Sequence, residues 1–366
     1  MKIAILGTRG IPNNYGGFEQ CAEFLSIGLV KKGHSVTVYS PSFHPYNDSF
    51  YEGVKIIKKN SPQNIFGNSA SNFIYDYLCL KDATKKDFDI ILQLGLITSS
   101  LSIIFCRHRG KIIATNIDGL EWKRSKWNIL IQNLTRLLEK YGVKYSDYLI
   151  ADNHAIKDYL FKEYNVESKL IEYGAMPIQK PDLSFLQQHN MIEGNYIVTI
   201  ARLEPENNIE MICDGYIKSK INMPYFIIGN HLTDYGDYLK DKYRDCGIKF
   251  LGGIYDKDCL ANIRYYSYCY IHGHSVGGTN PALLEAMAAK ALIIAHNNTY
   301  NKSVINDDAF YFNNAEDITK MLKRNKLLFN KNKFVDSNLK KIDQLYNWPL
   351  IVEKYEKYFL EILNKK

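Results

Sequence analysis

The sequence predicts an α/β protein with two Rossmann-like, doubly wound domains that face a central cleft. Three observations support this fold class. Short apolar strands alternate with helix-like stretches along the whole chain, whose 366 residues are enough for two domains. Each half contains a glycine-rich loop between a strand and a helix. Between the halves, residues 173–188 lose periodicity and contain Pro177 and Pro181, which is typical of a linker.

These features predict three segments. Residues 1–176 form a first domain, residues 190–345 form a second domain, and a last helix within residues 346–366 packs back on the first domain.

The first half begins with a predicted βαβ unit: a strand at 2–6, a glycine-rich loop at 7–19, a helix at 20–32 and a strand at 34–39. The glycines do not form GxGxxG, so the dinucleotide fingerprint is absent. The loop is therefore either a plain turn or one that admits a phosphate or a sugar. Further strands are predicted at 54–57, 89–94, 111–115, 148–151 and 169–172, and further helices at 69–80, 129–144 and 156–164.

The segment NIDGLEWKRSKW, residues 116–127, follows a predicted strand and therefore lies at the edge of the sheet where ligands bind. Its acids are candidates for acid/base or hydroxyl-binding roles: Asp118 and Glu121. Its cations are candidate contacts for phosphate or a lipid headgroup: Lys123, Arg124 and Lys126. Its indoles are candidate sugar platforms or interfacial anchors: Trp122 and Trp127. The alternative is a solvated cap on the helix at 129–144.

The second half repeats the strand–helix alternation, with strands predicted at 196–201, 225–229, 249–251, 268–271, 292–295 and 307–312. The strand at 268–271 leads into HGHSVGGTNPALLEAMA, residues 272–288. Thr279 or Asn280 can cap the helix that follows, and Pro281 suits its first turn. Glycines let the backbone approach a ligand, and the helix N-terminus favours an anion such as a phosphate. Glu285 is a candidate partner for a ribose. The alternative is an ordinary loop-to-helix junction.

Composition narrows the classes of partner. The net charge of +7 suits anionic ligands, phosphorylated substrates or an anionic membrane surface. No stripe dense in Lys and Arg is present, so a nucleic-acid partner is not predicted. The seven cysteines are dispersed without metal-ligand spacing, which predicts reduced, mostly buried thiols, a cytosolic setting and no metal site. The N-terminus is predicted to be a strand rather than a signal peptide, and residues 90–106 are too short and polar for a membrane span.

Four stretches together resemble the retaining nucleotide-sugar glycosyltransferases of the GT-B type, family 4. Within that family they are most similar to the bacterial rhamnosyltransferase-like enzymes of capsule, O-antigen and exopolysaccharide assembly. The stretches are GTRGIPNNYGGFE (7–19), NIDGLEWKRSKW (116–127), ARLEPENN (201–208) and HGHSVGGTNPALLEAMA (272–288). They lie in both halves in the expected order, so the resemblance covers nearly the whole chain.

The resemblance implies roles for individual residues. Arg202 would contact the donor pyrophosphate, Glu285 would hold the ribose hydroxyls, and Ile254 would pack on the nucleobase. The other expected donor-binding residues lie in loops: Arg9, Gly16, Gly17, Asn207, Gly277, Gly278, Thr279 and Asn280. The expected catalytic residues are Glu19, Asp118 and His274. The expected acceptor-binding residues are Glu121, Trp122, Lys123 and Arg124.

Two positions depart from the family pattern. Asn207 stands where a lysine is common, so one diphosphate charge partner is missing or is supplied elsewhere, with Arg9 as a candidate. Gly277 stands where a glutamate usually contacts the donor sugar. Its loss argues for a differently shaped sugar, such as the 6-deoxy sugar rhamnose, and His272 or His274 is a candidate to take over part of that role.

The resemblance therefore implies a metal-independent, retaining hexosyltransferase without a cofactor, whose favoured donor substrate is dTDP-rhamnose. The expected acceptor is a hydroxyl of a lipid-linked oligosaccharide. The expected location is the cytoplasm, peripheral on the inner face of the plasma membrane. Two alternatives stay open: an epimerase or phosphorylase-like enzyme of the same fold, and a catalytically silent nucleotide-sugar-binding protein.

Overall fold

The computed structural model describes residues 1–106, 110–117, 119–124, 127–323 and 330–365, without the side chains of residues 64–66, 68 and 69. The chain divides into two compact units. The first unit comprises Met1–Lys123, Trp127–Tyr173 and Trp348–Lys366, and the second comprises Gly174–Asn347 together with Arg124.

The first unit contains a twisted sheet whose strand order is β3-β4-β2-β1-β5-β6-β7-β8. The strands are β1 (Lys2–Leu6), β2 (Ser35–Pro41), β3 (Phe50–Tyr51), β4 (Val54–Lys59), β5 (Ile90–Leu94), β6 (Ile112–Ile117), β7 (Tyr148–Ala151) and β8 (Lys169–Leu170). All pairs are parallel except β3–β4. The central strands β1, β5 and β6 are buried runs of mainly apolar residues, as expected when helices cover both faces of a parallel sheet.

The helices of the first unit are α1 (Gly17–Lys31), α2 (Gln63–Ala83, interrupted at Gly67), α3 (Ser100–Cys106), α4 (Ile129–Tyr145), α5 (His154–Tyr164) and, in chain order the last of all, α14 (Trp348–Leu363). Helix α14 packs against α1, where the rings of Phe24 and Trp348 stack with centroids 4.9 Å apart. Tyr355 of α14 is fully buried, and its hydroxyl accepts a hydrogen bond of 2.9 Å from Asn116 Nδ2 at the end of β6. The C-terminal helix is thus part of the first unit.

The second unit contains a parallel sheet of order β11-β10-β9-β12-β13-β14. Its strands are β9 (Ile197–Ile200), β10 (Tyr225–Ile228), β11 (Ile248–Gly252), β12 (Cys269–His272), β13 (Ile293–His296) and β14 (Phe310–Phe312). Its helices are α6 (Ser184–Gln187), α7 (Ile209–Ser219), α8 (Asp234–Lys242), α9 (Lys257–Tyr265), α10 (Pro281–Ala288), α11 (Thr299–Ile305), α12 (Ala315–Lys323) and α13 (Lys331–Lys341). A continuous apolar core joins β9, β10, β12 and β13 to α7, α8 and α12.

The predicted linker at 173–188 is ordered structure. From Gly174 onward it belongs to the second unit. The Ile178 amide donates to Ala288 O at 3.2 Å, the Asp182 amide donates to Asn262 Oδ1 at 2.6 Å, and Leu186 is 2% exposed. The segment lost its periodicity because individual hydrogen bonds, rather than one apolar face, attach it to the domain.

No helix in the described part of the chain is long and apolar enough to cross a membrane.

Candidate functional site

The strand order of the second unit reverses between β9 and β12, which lie side by side in parallel. The chain leaves β9 towards one side of the sheet and β12 towards the other, so their following loops open a crevice at the same edge. Ligands of doubly wound sheets bind in such a crevice. The two loops here are residues 201–208, which contain Arg202, and residues 273–280, the glycine-rich loop.

Direct hydrogen bonds lock these two loops together. Ser275 donates to the carbonyl of Glu206 twice, from its amide at 3.1 Å and from its hydroxyl at 2.8 Å. Asn208 Nδ2 donates to Gly273 O at 2.8 Å. A Cβ at Gly273 would lie 2.0 Å from Asn207 O, so only glycine permits this approach of the two backbones.

A third loop holds the glycine-rich loop from the other side. After β13, the side-chain amides of Asn298 and Asn301 donate to His274 O at 2.9 and 3.0 Å. Asn298 also caps α11 by accepting from the Asn301 amide at 3.0 Å. The path of the glycine-rich loop is therefore fixed by three neighbouring strand ends. The sequence motifs do not include the two asparagines.

The glycine-rich loop ends at the N-terminus of α10. Asn280 caps the helix by accepting from the Ala282 amide at 2.9 Å, and Pro281 occupies its first turn, as the sequence predicts. Gly277 has φ +142°, a conformation that L side chains rarely adopt, and a Cβ there would have nothing within 4 Å. The backbone path thus disfavours a glutamate at this position, although the space for its first atom is open.

Glu285, the expected ribose partner, is held by a buried arginine. Arg264 of α9 is 2% exposed, and its Nη2 donates to Glu285 Oε2 at 2.6 Å. Such a charge-assisted hydrogen bond to a buried partner restricts where the carboxylate can lie. Arg264 is a long-range partner that the sequence analysis missed, because nothing within α9 sets it apart from other helical arginines.

Arg202 and Asn207, both expected to bind the donor, lie in the same loop and differ in exposure. Arg202 is exposed at the crevice edge. Asn207 is 4% exposed, and its Nδ2 donates to Arg202 O at 2.7 Å. The side chain of Asn207 is therefore used to shape its own loop. Its place in donor binding stays a prediction, and the structure adds that the side chain supports the backbone of Arg202.

Arg124 is grouped with the second unit and directly follows Lys123 of the first unit in the chain. Its Nη1 lies 3.3 Å from Glu206 Oε1, and Glu206 is 6% exposed. Glu121, Trp122 and Lys123 belong to the first unit. The boundary between the units therefore falls within the four predicted acceptor residues, whose role stays a prediction, and Arg124 lies next to the loop that contains Arg202.

His272 and His274 stack at the end of β12, with ring centroids 4.4 Å apart and an interplanar angle of 16°. Burial lowers the pKa of His272 well below its ordinary value, and the neighbouring His274 is the second cause of that shift. Burial and then the charges of Arg202 and Arg124 lower the pKa of His274 to about 3. Both rings are neutral at physiological pH. Because a base of such low pKa accepts a proton poorly, His274 is suited to hydrogen bonding rather than to general-base catalysis.

In the first unit the strand order reverses between β1 and β5. The loop after β1 is held by two buried carboxylates of α1. The Arg9 amide donates to Glu19 Oε1 at 2.7 Å, and the Asn13 amide donates to Glu23 Oε2 at 2.5 Å. Glu19 and Glu23 are 4% and 7% exposed. Glu19, expected to be catalytic, thus holds the loop that precedes Gly16, the residue before the first turn of α1.

The guanidinium of Arg9, the candidate substitute for the missing cation, lies 3.9 Å from the centroid of the Tyr15 ring.

The predicted acceptor segment packs against α4 and α5. Trp127 Nε1 donates to Glu121 Oε1 at 2.9 Å. Lys123 Nζ and the Arg136 guanidinium lie 5.2 and 5.1 Å from the Trp122 ring. These contacts favour a role for Trp122 in anchoring the segment. Asp118 and Lys126 lie outside the described residues.

In the part of the chain that the structure describes, no group of three or more His, Cys, Asp or Glu side chains is placed to hold a metal ion. The cysteines are free thiols, and all but Cys246 are buried.

Comparison with known families and structures now adds to this geometry. Residues 185–344 match the family model "Glycosyl transferases group 1", and residues 1–176 match the model "Domain of unknown function (DUF1972)". The first of these matches covers most of the second unit. No match was found among curated proteins.

Three solved structures are similar over the whole chain. Sucrose-phosphate synthase from Thermosynechococcus elongatus has a TM-score of 0.83 at 14% identity, with 100% of both chains covered. A glycosyltransferase from Rickettsia africae has a TM-score of 0.72 at 16% identity, covering 100% of this chain and 99% of that one. Anabaena HepE in complex with UDP-glucose has a TM-score of 0.72 at 12% identity, with the same coverage. These similarities confirm the predicted GT-B fold class.

Proposed function

We propose that this protein is a glycosyltransferase that moves a sugar from a nucleoside-diphosphate sugar to an acceptor hydroxyl. One observation carries the proposal. At the switch point of the second unit, the loop that presents Arg202 is hydrogen-bonded through Glu206 and Ser275 to the glycine-rich loop at the N-terminus of α10. A cation and a helix N-terminus are thereby fixed at one edge of a nucleotide-binding type of sheet, which suits a diphosphate.

The chemistry follows from where charge develops. When the glycosidic bond to the donor breaks, negative charge accumulates on the departing diphosphate. Arg202 and the amides of Gly278, Thr279 and Asn280 are the groups we assign to that charge, because preorganised donors stabilise it most in the transition state. Glu285, restrained by Arg264, accepts hydrogen bonds from the ribose hydroxyls, and Ile254 packs on the nucleobase.

The finer assignment is also a proposal. We propose a retaining, metal-independent transfer of rhamnose or another deoxyhexose, with dTDP-rhamnose as the favoured donor. The acceptor is a lipid-linked oligosaccharide at the cytoplasmic membrane surface, in bacterial surface polysaccharide synthesis. The open space beside Gly277 supports a donor sugar that is held differently from one that binds a glutamate there. The neutral ring of His274, which is partly exposed, supports hydrogen bonding to uncharged sugar hydroxyls, whereas His272 is 0% exposed.

The donor is tested by a thermal-shift screen over dTDP-, UDP- and GDP-sugars. We expect dTDP-rhamnose to give the largest shift, and a clear preference for another donor would overturn the rhamnose assignment. Transfer assays with and without EDTA test metal independence, and NMR of the product anomer tests retention.

The site assignment is tested by Arg202→Ala and Glu285→Ala. Loss of a group that meets transition-state charge lowers kcat by about 10²–10³-fold, which we expect for Arg202→Ala. For Glu285→Ala we expect mainly a raised KM for the donor. Lys218→Ala, an exposed change at the end of α7, is the matched control. Near wild-type transfer by both site variants would refute the assignment.

A further inference from the structure

Helix α4 of the first unit has a second apolar face that is exposed in the described structure, with only Tyr141 stacked on Tyr145. Leu130, Leu134, Leu137 and Tyr141 are 76%, 54%, 49% and 39% exposed. Their spacing of four, three and four residues places them on one face of an α-helix. We call these four residues the α4 strip. The helix does not need the strip to attach to its domain, because Thr135, Leu138, Gly142 and their neighbours form a separate buried face.

The neighbouring helix extends the apolar surface. Helix α3 packs along α4 and exposes Leu101 by 42% and Phe105 by 70%. Neighbouring exposed apolar side chains on a soluble protein often mark a binding surface. The surface formed by the α4 strip with Leu101 and Phe105 is therefore a candidate docking surface.

Charge identifies the kind of partner. Arg136, Lys140 and Lys144 are exposed and recur every four residues, so they run beside the α4 strip. Arg136 pairs with Glu163 at 2.6 Å, which leaves Lys140 and Lys144 as the two lysines of this edge. The one acid of α4, Glu139, is 1% exposed. The exposed surface of α4 is thus apolar and cationic, with no acid of its own.

We propose that the α4 strip, with Leu101 and Phe105, docks on an anionic lipid bilayer, the apolar side chains entering the interface and Lys140 and Lys144 meeting the headgroups. An apolar face bordered by cations is what interfacial helices present to anionic membranes. A protein partner would more often be matched by charges of both signs. We choose a bilayer as the partner because the proposed function includes a lipid-linked acceptor. The exposed apolar surface is observed independently of that function.

The test is co-sedimentation of the full chain with phosphatidylcholine vesicles, with and without phosphatidylglycerol. We expect binding that requires phosphatidylglycerol. The triple variant Leu130→Gln, Leu134→Gln and Leu137→Gln should bind at least about tenfold more weakly. The double variant Lys140→Gln and Lys144→Gln should lose about fivefold per lysine. All five positions are exposed, so the fold is retained, and a thermal melt verifies it.

The matched control is Ile192→Gln with Leu232→Gln, two second-unit residues that are 68% and 79% exposed. This variant should bind vesicles like the wild type. Wild-type protein that does not bind phosphatidylglycerol vesicles would overturn the proposal, as would unchanged binding by the triple variant. If the wild type is instead a dimer that the triple variant converts to a monomer without any vesicle binding, the surface is an interface between copies and the proposal fails.

A second readout separates this proposal from the transferase assignment. The triple variant should transfer sugar to a water-soluble acceptor at the wild-type rate. Vesicle binding without transfer would support the docking surface and refute the proposed function. Transfer without vesicle binding would support the proposed function and refute the docking surface.

Discussion

Replacing Gly273 by alanine tests whether the interlocked loops of the second unit build the donor site. The added Cβ would lie 2.0 Å from Asn207 O and 2.8 Å from Ile212 Cδ1, whereas ordinary contact begins at 3.4 Å. The obstacle is backbone, so the two loops must separate by about 1.4 Å to reach ordinary contact. That movement is large enough to strain the hydrogen bonds that join Asn208 to Gly273 and Ser275 to Glu206.

The expected magnitudes follow from that displacement. Overpacking of a filled interior costs about 1–3 kcal/mol of the free energy of unfolding. A displacement of about 1 Å in groups that position a substrate can cost about 100-fold in rate. We therefore expect Gly273→Ala to fold with a lowered Tm and to lose at least about tenfold in donor affinity, with kcat/KM falling further.

The measurements are thermal unfolding, calorimetric titration with the donor, and steady-state transfer. Gly33→Ala is the matched control. Gly33 lies in the turn after α1 of the first unit with φ +87°, and a Cβ there would have nothing within 4 Å. It should lose about 1 kcal/mol of stability through backbone strain without loss of donor binding. If Gly273→Ala matched this control in both Tm and donor affinity, the reasoning about the interlocked loops would be refuted.

Two further predictions concern the support of the site and its response to pH. Arg264→Met should raise the donor KM about tenfold with a smaller effect on kcat, because Glu285 loses the arginine that holds it. Arg264→Lys should restore part of the loss. Equal effects of both variants on kcat alone would contradict a positioning role for Arg264. His274 has a folded-state pKa of about 3 against an ordinary value of 6.5, so the unfolded chain takes up this proton first as the pH falls. The stability that His274 contributes by staying neutral in the folded state is complete above about pH 6.5. As the pH falls from there towards about pH 3, the free energy of unfolding declines by up to about 1.4 kcal/mol per pH unit. Urea unfolding at about pH 7 and about pH 5 measures this decline in the free energy of unfolding. It should be smaller for His274→Asn than for the wild type or the exposed control His154→Asn, and an equal decline in all three would count against a buried neutral ring.

The sequence was sufficient for the main strands, because each is a short apolar run between turn residues. Strands β1 and β7 begin and end where the pattern predicts. Strand β3 was missed because it has only two residues, which is too short to show an alternation of apolar and polar side chains. It pairs with β4 alone. Helix α11 was missed because its start depends on the cap at Asn298 rather than on an apolar face.

The site was predictable only in part, because a motif reveals the residues of one segment and not their partners. Arg202 and Glu285 stand out in local patterns, whereas Arg264 and Asn301 reach the site from other elements and look ordinary in their own segments. The resemblance implied a catalytic role for Glu19, which stays a prediction. The structure adds what the motif could not show, that this carboxylate is buried and holds the loop by accepting a hydrogen bond from the Arg9 amide.

The glycine at position 277 illustrates how the backbone path limits which residue a position can hold. An added Cβ at this position would have nothing within 4 Å, so a clash of that atom does not explain the absence of a side chain. The φ of +142° does, because a side chain in such a conformation costs about 1–3 kcal/mol. That conformation belongs to a loop whose carbonyl at His274 is fixed by Asn298 and Asn301. A single Gly277→Glu change should therefore strain the loop, which thermal unfolding would detect as a lowered Tm.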